Sequence, residues 1–547
     1  MKLLLPMLLA ACCTLTAAAQ PQWSYSFRMD TAGTKPTLEV ALSFKGHASG
    51  RTELLLPDAW GSEHELYRFV SALEVQGGGA RLEARKDSLH RLVRHRPGAD
   101  LTVRYRLQQD WSGPYENGKH FRGVLRWNWI RLSGYTLFVR PATPDDQTVR
   151  LQLSWKGLPA RWTIANSLHC GSRAWQGRLR AGDLENSFFV AGDFRLHEMT
   201  VDGRPLRFAI RGDWNFPDAE LLRRAARIIS AERAFWKDQG EPYYLVALAP
   251  TDGRASIAGN SMFQSFLIDM SPEVPVDVSL LSILAHEYFH RWIGIDLTLV
   301  GPENDQKWFS EGFTEYYTFK MLWRTGLIDT TEYVTQLNRL FHAYHTSPLA
   351  REPRSFLSAH YWDNPYSQRL PYVKGASFAY WLDATISSAS GGRQSLDDLL
   401  FSLRAAFRAG KDINDSLLVQ TAQAMGVADM RDVFQKTIVD GGPVPSAEHP
   451  ALGGYRISTE TVHPFTLGFQ TGSLRKGGSV EGVVAESAAW QAGLRNGMVL
   501  QGWSITNNDT SRPVTLKVED GKGGLQTISY VPKAAVGIPV PQLKAVR

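Results

Sequence analysis

Residues Ile283–Trp292 read ILAHEYFHRW and contain two histidines separated by three residues. On an α-helix, residues four apart project from the same face, so His286 and His290 can direct ring nitrogens at one ion about 2 Å away. Glu287 is of the right type to take a proton from a water molecule whose pKa the ion has lowered. The pattern predicts a zinc site on a helix with Glu287 as general base. A core helix that carries two histidines by chance is the alternative.

A catalytic zinc site needs a third protein ligand as well as an open position. Residues Trp308–Tyr317 read WFSEGFTEYY and supply carboxylates at Glu311 and Glu315. The HExxH motif followed by W-x-x-E-G-F-x-x-Y resembles the pattern of the gluzincin metallopeptidases, and the two segments together resemble their glycyl aminopeptidase family. The resemblance implies that Glu311 is the third zinc ligand. It also implies that Glu315, one helical turn further on, orients a ligand histidine; an exposed helical glutamate is the alternative.

A third landmark is Pro371–Ala376, which reads PYVKGA. It is similar to the Y-x-K-G-A segment in which these enzymes and the related large aminopeptidases keep a catalytic tyrosine. A phenol opposite the zinc can donate a hydrogen bond to the oxyanion that forms at the scissile carbonyl. Tyr372 is therefore the candidate for this role. A tyrosine that packs just before a helix is the alternative.

Composition favours a globular protein of several domains. The chain has 547 residues, 43% of them hydrophobic, which is enough to bury more than one core. The formal net charge is +6, with lysines and arginines scattered among acidic residues. Because no run of basic residues suggests a surface for a nucleic-acid backbone, no nucleic-acid partner is expected. The resemblance implies a peptide or protein substrate instead.

The N-terminus has the features of a secretory signal peptide over residues 1–19. Lys2 is followed by the apolar run Leu3–Ala11, and cleavage is expected after Ala19. Leu9–Cys12 also resembles a bacterial lipobox, which would leave a lipid on Cys12. The sequence therefore predicts an exported protein, periplasmic or secreted, with a lipid anchor through Cys12 as the alternative. No later segment is apolar enough to be expected to span a membrane.

The predicted fold class is multidomain α+β, beginning with a β-sandwich domain over residues 20–204. Apolar and polar residues alternate there in segments such as Thr37–Phe44, Leu101–Leu107 and Thr148–Trp155, with Gly, Pro and Asp between them. A period of two is typical of strands with one buried face. The pattern predicts an antiparallel sandwich.

A thermolysin-like zinc peptidase domain with a helical lobe is expected over residues 205–440. A helix is predicted to begin at Pro217–Asp218, and Tyr243–Leu248 and Ser265–Asp269 are predicted to be buried strands. The HExxH helix follows them, and this order resembles that of thermolysin. The helical pattern over Thr331–Val439 predicts the lobe.

The strand before the zinc helix borders the substrate cleft in folds of this kind, so a substrate backbone can pair with it. Gly259, Asn260 and Gln264 are the candidate substrate-binding residues. Glycyl aminopeptidases carry a glutamate here that holds the free α-amino group, but no acidic residue lies between Gly253 and Phe266. A buried ammonium prefers a carboxylate. An endopeptidase therefore stays open beside an aminopeptidase.

A linker over residues 441–456 and a PDZ-like domain over 457–547 complete the expected domain order. Thr466–Phe469 resembles the carboxylate-binding loop of PDZ domains, and Ser479–Val484 with Ala489–Leu500 resembles their next strand and short helix. Such a domain binds an extended peptide as an added strand. A peptide ligand and a purely structural role are both open.

Together these features predict zinc-dependent hydrolysis of peptide bonds, with Zn²⁺ as cofactor and aminopeptidase activity as the first hypothesis. The alternatives are an endopeptidase on the same site and a catalytically silent, PDZ-containing peptide-binding protein.

Overall fold

The computed structural model describes residues 20–30, 33–84, 87–116, 119–239, 241–253, 256–506, 509–520 and 523–546. The predicted signal peptide and Cys12 lie outside the described residues. The chain forms two compact units. The first unit holds the described residues up to Ala226 together with Gln239–Leu280, and the second holds Arg227–Asp238 and the described residues from Leu281 onwards.

The described part of the first unit is rich in β-structure. Its strands, in chain order, are β1 (Gln22–Asp30), β2 (Thr37–Lys45), β3 (Arg51–Leu55), β4 (Val70–Gln76), β5 (Arg81–Ala84), β6 (His90–Arg94), β7 (Asp100–Gln108), β8 (Val124–Leu125), β9 (Trp129–Ser133), β10 (Arg140–Pro141), β11 (Thr148–Lys156), β12 (Thr163–Asn166), β13 (Ala174–Arg180), β14 (Phe188–Gly192), β15 (Arg195–Val201), β16 (Arg204–Ile210), β17 (Tyr244–Pro250), β18 (Ile257–Met262) and β19 (Ser265–Met270). Two short helices, α1 (Gly134–Leu137) and α2 (Ala181–Glu185), interrupt them. The strands predicted over residues 37–44, 101–107 and 148–155 are confirmed.

A six-stranded sheet has the strand order β13-β11-β1-β2-β7-β4. β1 runs parallel to β11 and antiparallel to β2. Along β1, Trp23, Tyr25 and Phe27 are buried, whereas Ser24 and Ser26 between them are partly exposed. Because successive side chains of a strand point to opposite faces, this alternation places one face of the sheet on a hydrophobic core.

Two four-stranded sheets lie in the same unit, with the orders β10-β3-β6-β5 and β12-β14-β9-β8. Leu54, Ile130 and Phe189 from these sheets share one hydrophobic core with Tyr25 of the six-stranded sheet. The N-terminal part of the chain is therefore β-rich, as the sequence predicts.

A five-stranded sheet has the order β15-β16-β17-β19-β18. β16, β17 and β19 run parallel, and β18 is antiparallel to β19 and forms the sheet edge in the described structure. Every residue of β19 is buried, and β17 is buried except for its last residue, Pro250. These two strands confirm the buried strands predicted from the sequence. The expected domain boundary between residues 204 and 205 falls at the start of β16.

The division between the two units falls inside two helices, α3 (Asp218–Trp236) and α4 (Val278–Phe289). The helices that follow, all in the second unit, are α5 (Glu303–Arg324), α6 (Thr330–His345), α7 (Arg354–Ala359), α8 (Pro365–Ala389), α9 (Leu396–Arg408), α10 (Asp415–Ala424), α11 (Met430–Phe434) and α12 (Ala488–Gln491). The predicted helical region over residues 331–439 is confirmed. The chain is therefore a multidomain α+β protein with a β-rich N-terminal region and a helical C-terminal part.

Helices α5 and α8 make a close crossing at two glycines. A Cβ atom added at Gly375 would lie 2.0 Å from the carbonyl oxygen of Trp308 and 2.8 Å from the Cα atom of Gly312. A Cβ atom added at Gly312 would lie 2.5 Å from the Cα atom of Gly375. Because glycine has no Cβ, the two backbones can meet at this point. The crossing fixes the position of α8 relative to α5.

Five strands follow the helical region, and they are β20 (Tyr455–Val462), β21 (Val499–Ser504), β22 (Val514–Glu519), β23 (Leu525–Tyr530) and β24 (Ile538–Ala545). β20 pairs with β24, and β21, β22 and β23 form a separate sheet. Asn338 of α6 holds β24 through two hydrogen bonds: its Nδ2 donates to the Leu543 carbonyl at 3.0 Å, and its Oδ1 accepts from the Leu543 amide at 2.8 Å. Within the described residues, every helix is too short or too polar to cross a lipid bilayer.

Candidate metal centre

Helix α4 carries the first histidine of the motif. Leu280, Leu284 and Ala285 are buried on it, so tertiary packing holds the helix in place. His290 directly follows the last α4 residue, and its amide donates to the His286 carbonyl at 3.3 Å, which continues the helical turn. As the helical spacing predicts, the Nε2 atoms of His286 and His290 lie 3.1 Å apart.

Glu311, on α5, brings a carboxylate to the same place. Its Oε2 atom lies 3.4 Å from Nε2 of His286 and 3.2 Å from Nε2 of His290. Ligands at the corners of a tetrahedron around zinc, about 2.0 Å from the ion, are about 3.3 Å from one another. The three donor atoms therefore have the separations that a tetrahedral zinc ion requires, and they are the nitrogen and oxygen donors that zinc accepts.

The electrostatics of this position also favour a cation. Burial alone lowers the pKa of the His286 imidazole, but the carboxylates of Glu311 and Glu315 raise that pKa to about 10. A group of two histidines and two glutamates in a buried position thus stabilises positive charge. This observation and the donor distances both fit a bound Zn²⁺.

In both imidazoles the Nδ1 atom has a hydrogen-bonding partner away from the centre. The Nε2 atom of each ring therefore points to the centre. Nδ1 of His290 lies 3.0 Å from the Ile293 carbonyl, to which it can donate. Nδ1 of His286 lies 3.2 Å from Oε2 of Glu315. This contact is the one that Glu315 needs if it orients the His286 ring, as predicted. A proton on each Nδ1 leaves the Nε2 lone pairs available to a metal.

The remaining oxygens of the two glutamates are held by cations that the sequence analysis did not single out. Nζ of Lys307 donates to Oε1 of Glu311 at 3.1 Å, and a guanidinium nitrogen of Arg369 donates to Oε1 of Glu315 at 2.8 Å. Burial opposes ionisation of Glu315, yet Arg369 and His286 lower its pKa to about 2. Both carboxylates are therefore ionised and oriented. Lys307 lies four residues before Glu311 on one helix, a spacing that could have predicted this contact.

Tyr372 lies against the same centre. Its ring is stacked on the ring of His286, with the centroids 5.8 Å apart and an angle of 15° between the planes. Burial, followed by the charge of Glu311, raises the pKa of the Tyr372 phenol well above its usual value. The phenol therefore remains protonated and can act as a hydrogen-bond donor.

The helical environment of Tyr372 differs from the expectation that it would precede a helix. Tyr372 lies inside α8, which begins at Pro365 and contains Pro371. A proline inside a helix costs about 3 kcal/mol, so a boundary near it is the normal expectation. Here Asn364 and Ser367 form a capping box that starts the helix before the proline, and the packing of α8 on α5 offsets the cost.

The candidate general base belongs to the second unit and the candidate substrate-binding residues belong to the first. Glu287 is half-buried on α4 and directly follows His286. Gly259 and Asn260 lie on the edge strand β18, and Gln264 lies in the turn to β19 with φ 48°, all in the first unit. Asn260 is 6% exposed, and its Nδ2 atom has no hydrogen-bond partner. The structure brings together His286, His290, Glu311, Glu315 and Tyr372.

The donor set at this centre is that of a zinc metallopeptidase, and comparison with known proteins identifies a peptidase of the same class. Residues 279–385 match the model of the M61 glycyl aminopeptidase family. This segment contains the HExxH helix, Glu311 and Tyr372. No curated protein sequence matches the chain.

Solved structures show a likeness over a larger part of the chain. An aminopeptidase N family protein from Idiomarina loihiensis is similar, with 18% identity, a TM-score of 0.75, and coverage of 96% of this chain and 98% of that chain. An M1 zinc metallopeptidase from Deinococcus radiodurans gives 15% identity and a TM-score of 0.47, covering 79% of this chain and 97% of that chain. The first likeness shows that the chain has the fold of that protein.

Proposed function

We propose that this zinc metallopeptidase is an aminopeptidase that removes residues from the N-terminus of peptides. The match of residues 279–385 to the glycyl aminopeptidase model carries the proposal. His286, His290 and Glu311 are the proposed zinc ligands, because their donor atoms all lie within 4.8 Å of one another. Glu315 orients His286 in this proposal.

Zinc, when bound, lowers the pKa of a water molecule and polarises the scissile carbonyl. Glu287 accepts a proton from the water molecule and returns it to the amine that leaves. The protonated phenol of Tyr372 donates a hydrogen bond to the carbonyl oxygen as negative charge develops on it. Lys307 and Arg369 keep the two buried glutamates ionised and fixed during these proton transfers.

An endopeptidase on the same site is the second candidate function. The absence of an acidic residue between Gly253 and Phe266 favours it, because an aminopeptidase needs an acceptor for the charged α-amino group. The side-chain oxygens of Asn260 and Gln264, both in the first unit, are the neutral acceptors that this segment offers in place of a carboxylate. The edge strand β18 offers backbone groups with which an extended peptide can pair.

We infer an N-terminal β-sandwich, a thermolysin-like catalytic domain and a C-terminal PDZ-like domain with a peptide ligand. Support for the last comes from Gly468, whose φ of 72° and close approach to Ser487 fit the tight loop expected there. Buried Leu467 and Phe469 belong to one core with Leu516 of the three-stranded sheet. Export to the periplasm or medium follows from the proposed signal peptide.

Product mapping separates the two candidate activities. A mixed peptide library, offered with free and with acetylated N-termini, is incubated with the enzyme and the products are identified by mass spectrometry. Loss of single N-terminal residues from free peptides alone is expected for an aminopeptidase. Internal cuts in both sets would replace that conclusion with an endopeptidase.

Glu287→Gln provides the blank for that experiment and the first test of the mechanism. The amide cannot accept a proton, so turnover should fall by about 10²–10⁴-fold while the zinc content stays at the wild-type level. Zinc is measured by atomic emission on the same samples. Full activity in Glu287→Gln would remove this residue from the proposed mechanism.

A further inference from the structure

Arg369 lies on α8, three residues before Tyr372, so both side chains project from one face of the helix. The centre of its guanidinium lies 5.6 Å from the centroid of the Tyr372 ring. One of its terminal nitrogens donates to Oε1 of Glu315 at 2.8 Å. The guanidinium is therefore held beside the phenol that faces the scissile carbonyl in the proposed function.

Arg369 is more exposed to solvent than the three charged side chains near it on α5. The side chains of Lys307, Glu311 and Glu315 are 13%, 10% and 12% exposed, and each is engaged in ion pairs. The side chain of Arg369 is 52% exposed. Glu315 accepts from one terminal nitrogen, whereas a guanidinium carries five N–H donors, so this exposed side chain has more donors than the contact with Glu315 uses. A guanidinium with this arrangement is suited to binding a second carboxylate.

The distances set which part of a substrate can reach Arg369. A peptide whose scissile carbonyl accepts a hydrogen bond from Tyr372 and whose chain runs along this face of α8 would bring its neighbouring residues to Arg369. The guanidinium of Arg369 lies 5.6 Å from the centre of the Tyr372 ring. An extended chain advances about 3.5 Å per residue, so this separation corresponds to one or two residues from the scissile bond. A carboxylate at that distance replaces solvent at the guanidinium without breaking the contact to Glu315.

We propose that Arg369 is a specificity-determining residue that binds a carboxylate of the peptide substrate close to the scissile bond. The inference rests on the proposed peptidase function and adds the class of substrate to it. The carboxylate has two possible sources, an acidic side chain or the C-terminus of a short peptide. Both sources use the same charge-assisted hydrogen bonds.

The test compares matched peptides in the wild-type enzyme, Arg369→Gln and Arg369→Lys. One series places Glu or Gln at the residue before the scissile bond or at either of the two residues after it. The other compares tripeptides with a free and an amidated C-terminus. The wild type is expected to favour the carboxylate form by about tenfold or more in kcat/KM, mainly through KM, as one charge-assisted contact implies. Arg369→Gln should abolish the preference, and Arg369→Lys should keep part of it.

Arg393→Gln is the matched control, because Arg393 is an exposed arginine in the turn after α8 and the variant makes the same charge change. It should keep the wild-type preference. The zinc content of every variant is measured, so that an effect through Glu315 on metal binding is separated from an effect on substrate binding. A preference confined to the Glu series identifies the side chain as the source, and one confined to the tripeptides identifies the C-terminus.

Two results would overturn the inference in different ways. Cleavage of neutral peptides with no carboxylate preference in the wild type, or with an unchanged preference in Arg369→Gln, overturns the role of Arg369 and leaves the peptidase function intact. A zinc-loaded enzyme that cleaves none of the peptides overturns the proposed function, and the inference fails with it.

Discussion

The proposed zinc ligands of this protein depend on groups that do not themselves reach the ion. His286 is held by Glu315, which in turn is held by Arg369, and this chain runs from the metal centre to an exposed guanidinium. The carboxylate of Glu315 is ionised in a buried position because both neighbours favour its charged form. Loss of this carboxylate should therefore weaken the binding of the metal.

Glu315→Gln is expected to lower the affinity for zinc by about 10–100-fold, the usual effect of removing the partner of a ligand histidine. The amide has nearly the same shape, but its single oxygen cannot accept from both Arg369 and Nδ1 of His286, so the change removes the charge and one of the two acceptors. Competition with a chromogenic chelator measures the affinity. Glu481→Gln, which makes the same charge change at an exposed position, is the control. An affinity equal to that of the control would assign Glu315 no part in holding His286.

At the scale of residues, the sequence predicted groups whose chemistry follows from helical spacing. His286 and His290 are four apart on one helical turn, and the structure places their Nε2 atoms together. Arg369 was not predicted, because its contact with Glu315 joins two helices that are far apart in sequence. Long-range contacts of this kind depend on the packing of α5 against α8, which no local pattern encodes.

At the scale of elements, the crossing of α5 and α8 decides where the candidate oxyanion donor lies. Glu311 precedes Gly312 directly, and Tyr372 lies three residues before Gly375. The close approach of the two glycines therefore brings the third ligand and the phenol to one place. No local pattern indicates that these two glycines meet, because they lie on helices that are far apart in the sequence.

Gly375→Ala should separate the two helices, because the new methyl group would lie 2.0 Å from the Trp308 carbonyl oxygen. Overpacking against backbone costs about 1–3 kcal/mol or more, which corresponds to a fall of roughly 5 °C in the unfolding midpoint. Thermal unfolding and zinc content are measured together. Gly454→Ala is the control, since a Cβ atom there has nothing within 4 Å. Equal midpoints for the two variants would show that the crossing tolerates a side chain.

At the scale of the whole molecule, all three proposed zinc ligands lie in the second compact unit. The fold of that unit combines helices and strands from distant parts of the chain, including Arg227–Asp238. Sequence patterns predicted the β-rich and helical regions, but they placed the expected boundaries by composition. Composition does not report that two helices, α3 and α4, are each divided between the two units.

Calorimetry should therefore show two unfolding transitions, and removal of zinc by a chelator should lower the transition of the second unit. A ligand present at about 1,000 times its Kd stabilises the state that binds it by about 4 kcal/mol, and this contribution disappears with the metal. The transition of the first unit should move little. Hydrogen exchange of β1 and α5 assigns the two transitions. Equal shifts in both would show that the units unfold as one.

The contact between Asn338 and Leu543 has a consequence for association with other chains. An uncovered strand edge is a template for pairing with a second molecule and for aggregation. β24 pairs with β20 on one side, and on the other side the Asn338 amide occupies the backbone N–H and C=O groups of Leu543. A helix side chain thus takes the place that a foreign strand would need. The two-stranded sheet of β20 and β24 is therefore protected at its β24 edge near Leu543. A peptide that adds to this sheet as a strand would have to pair at another position.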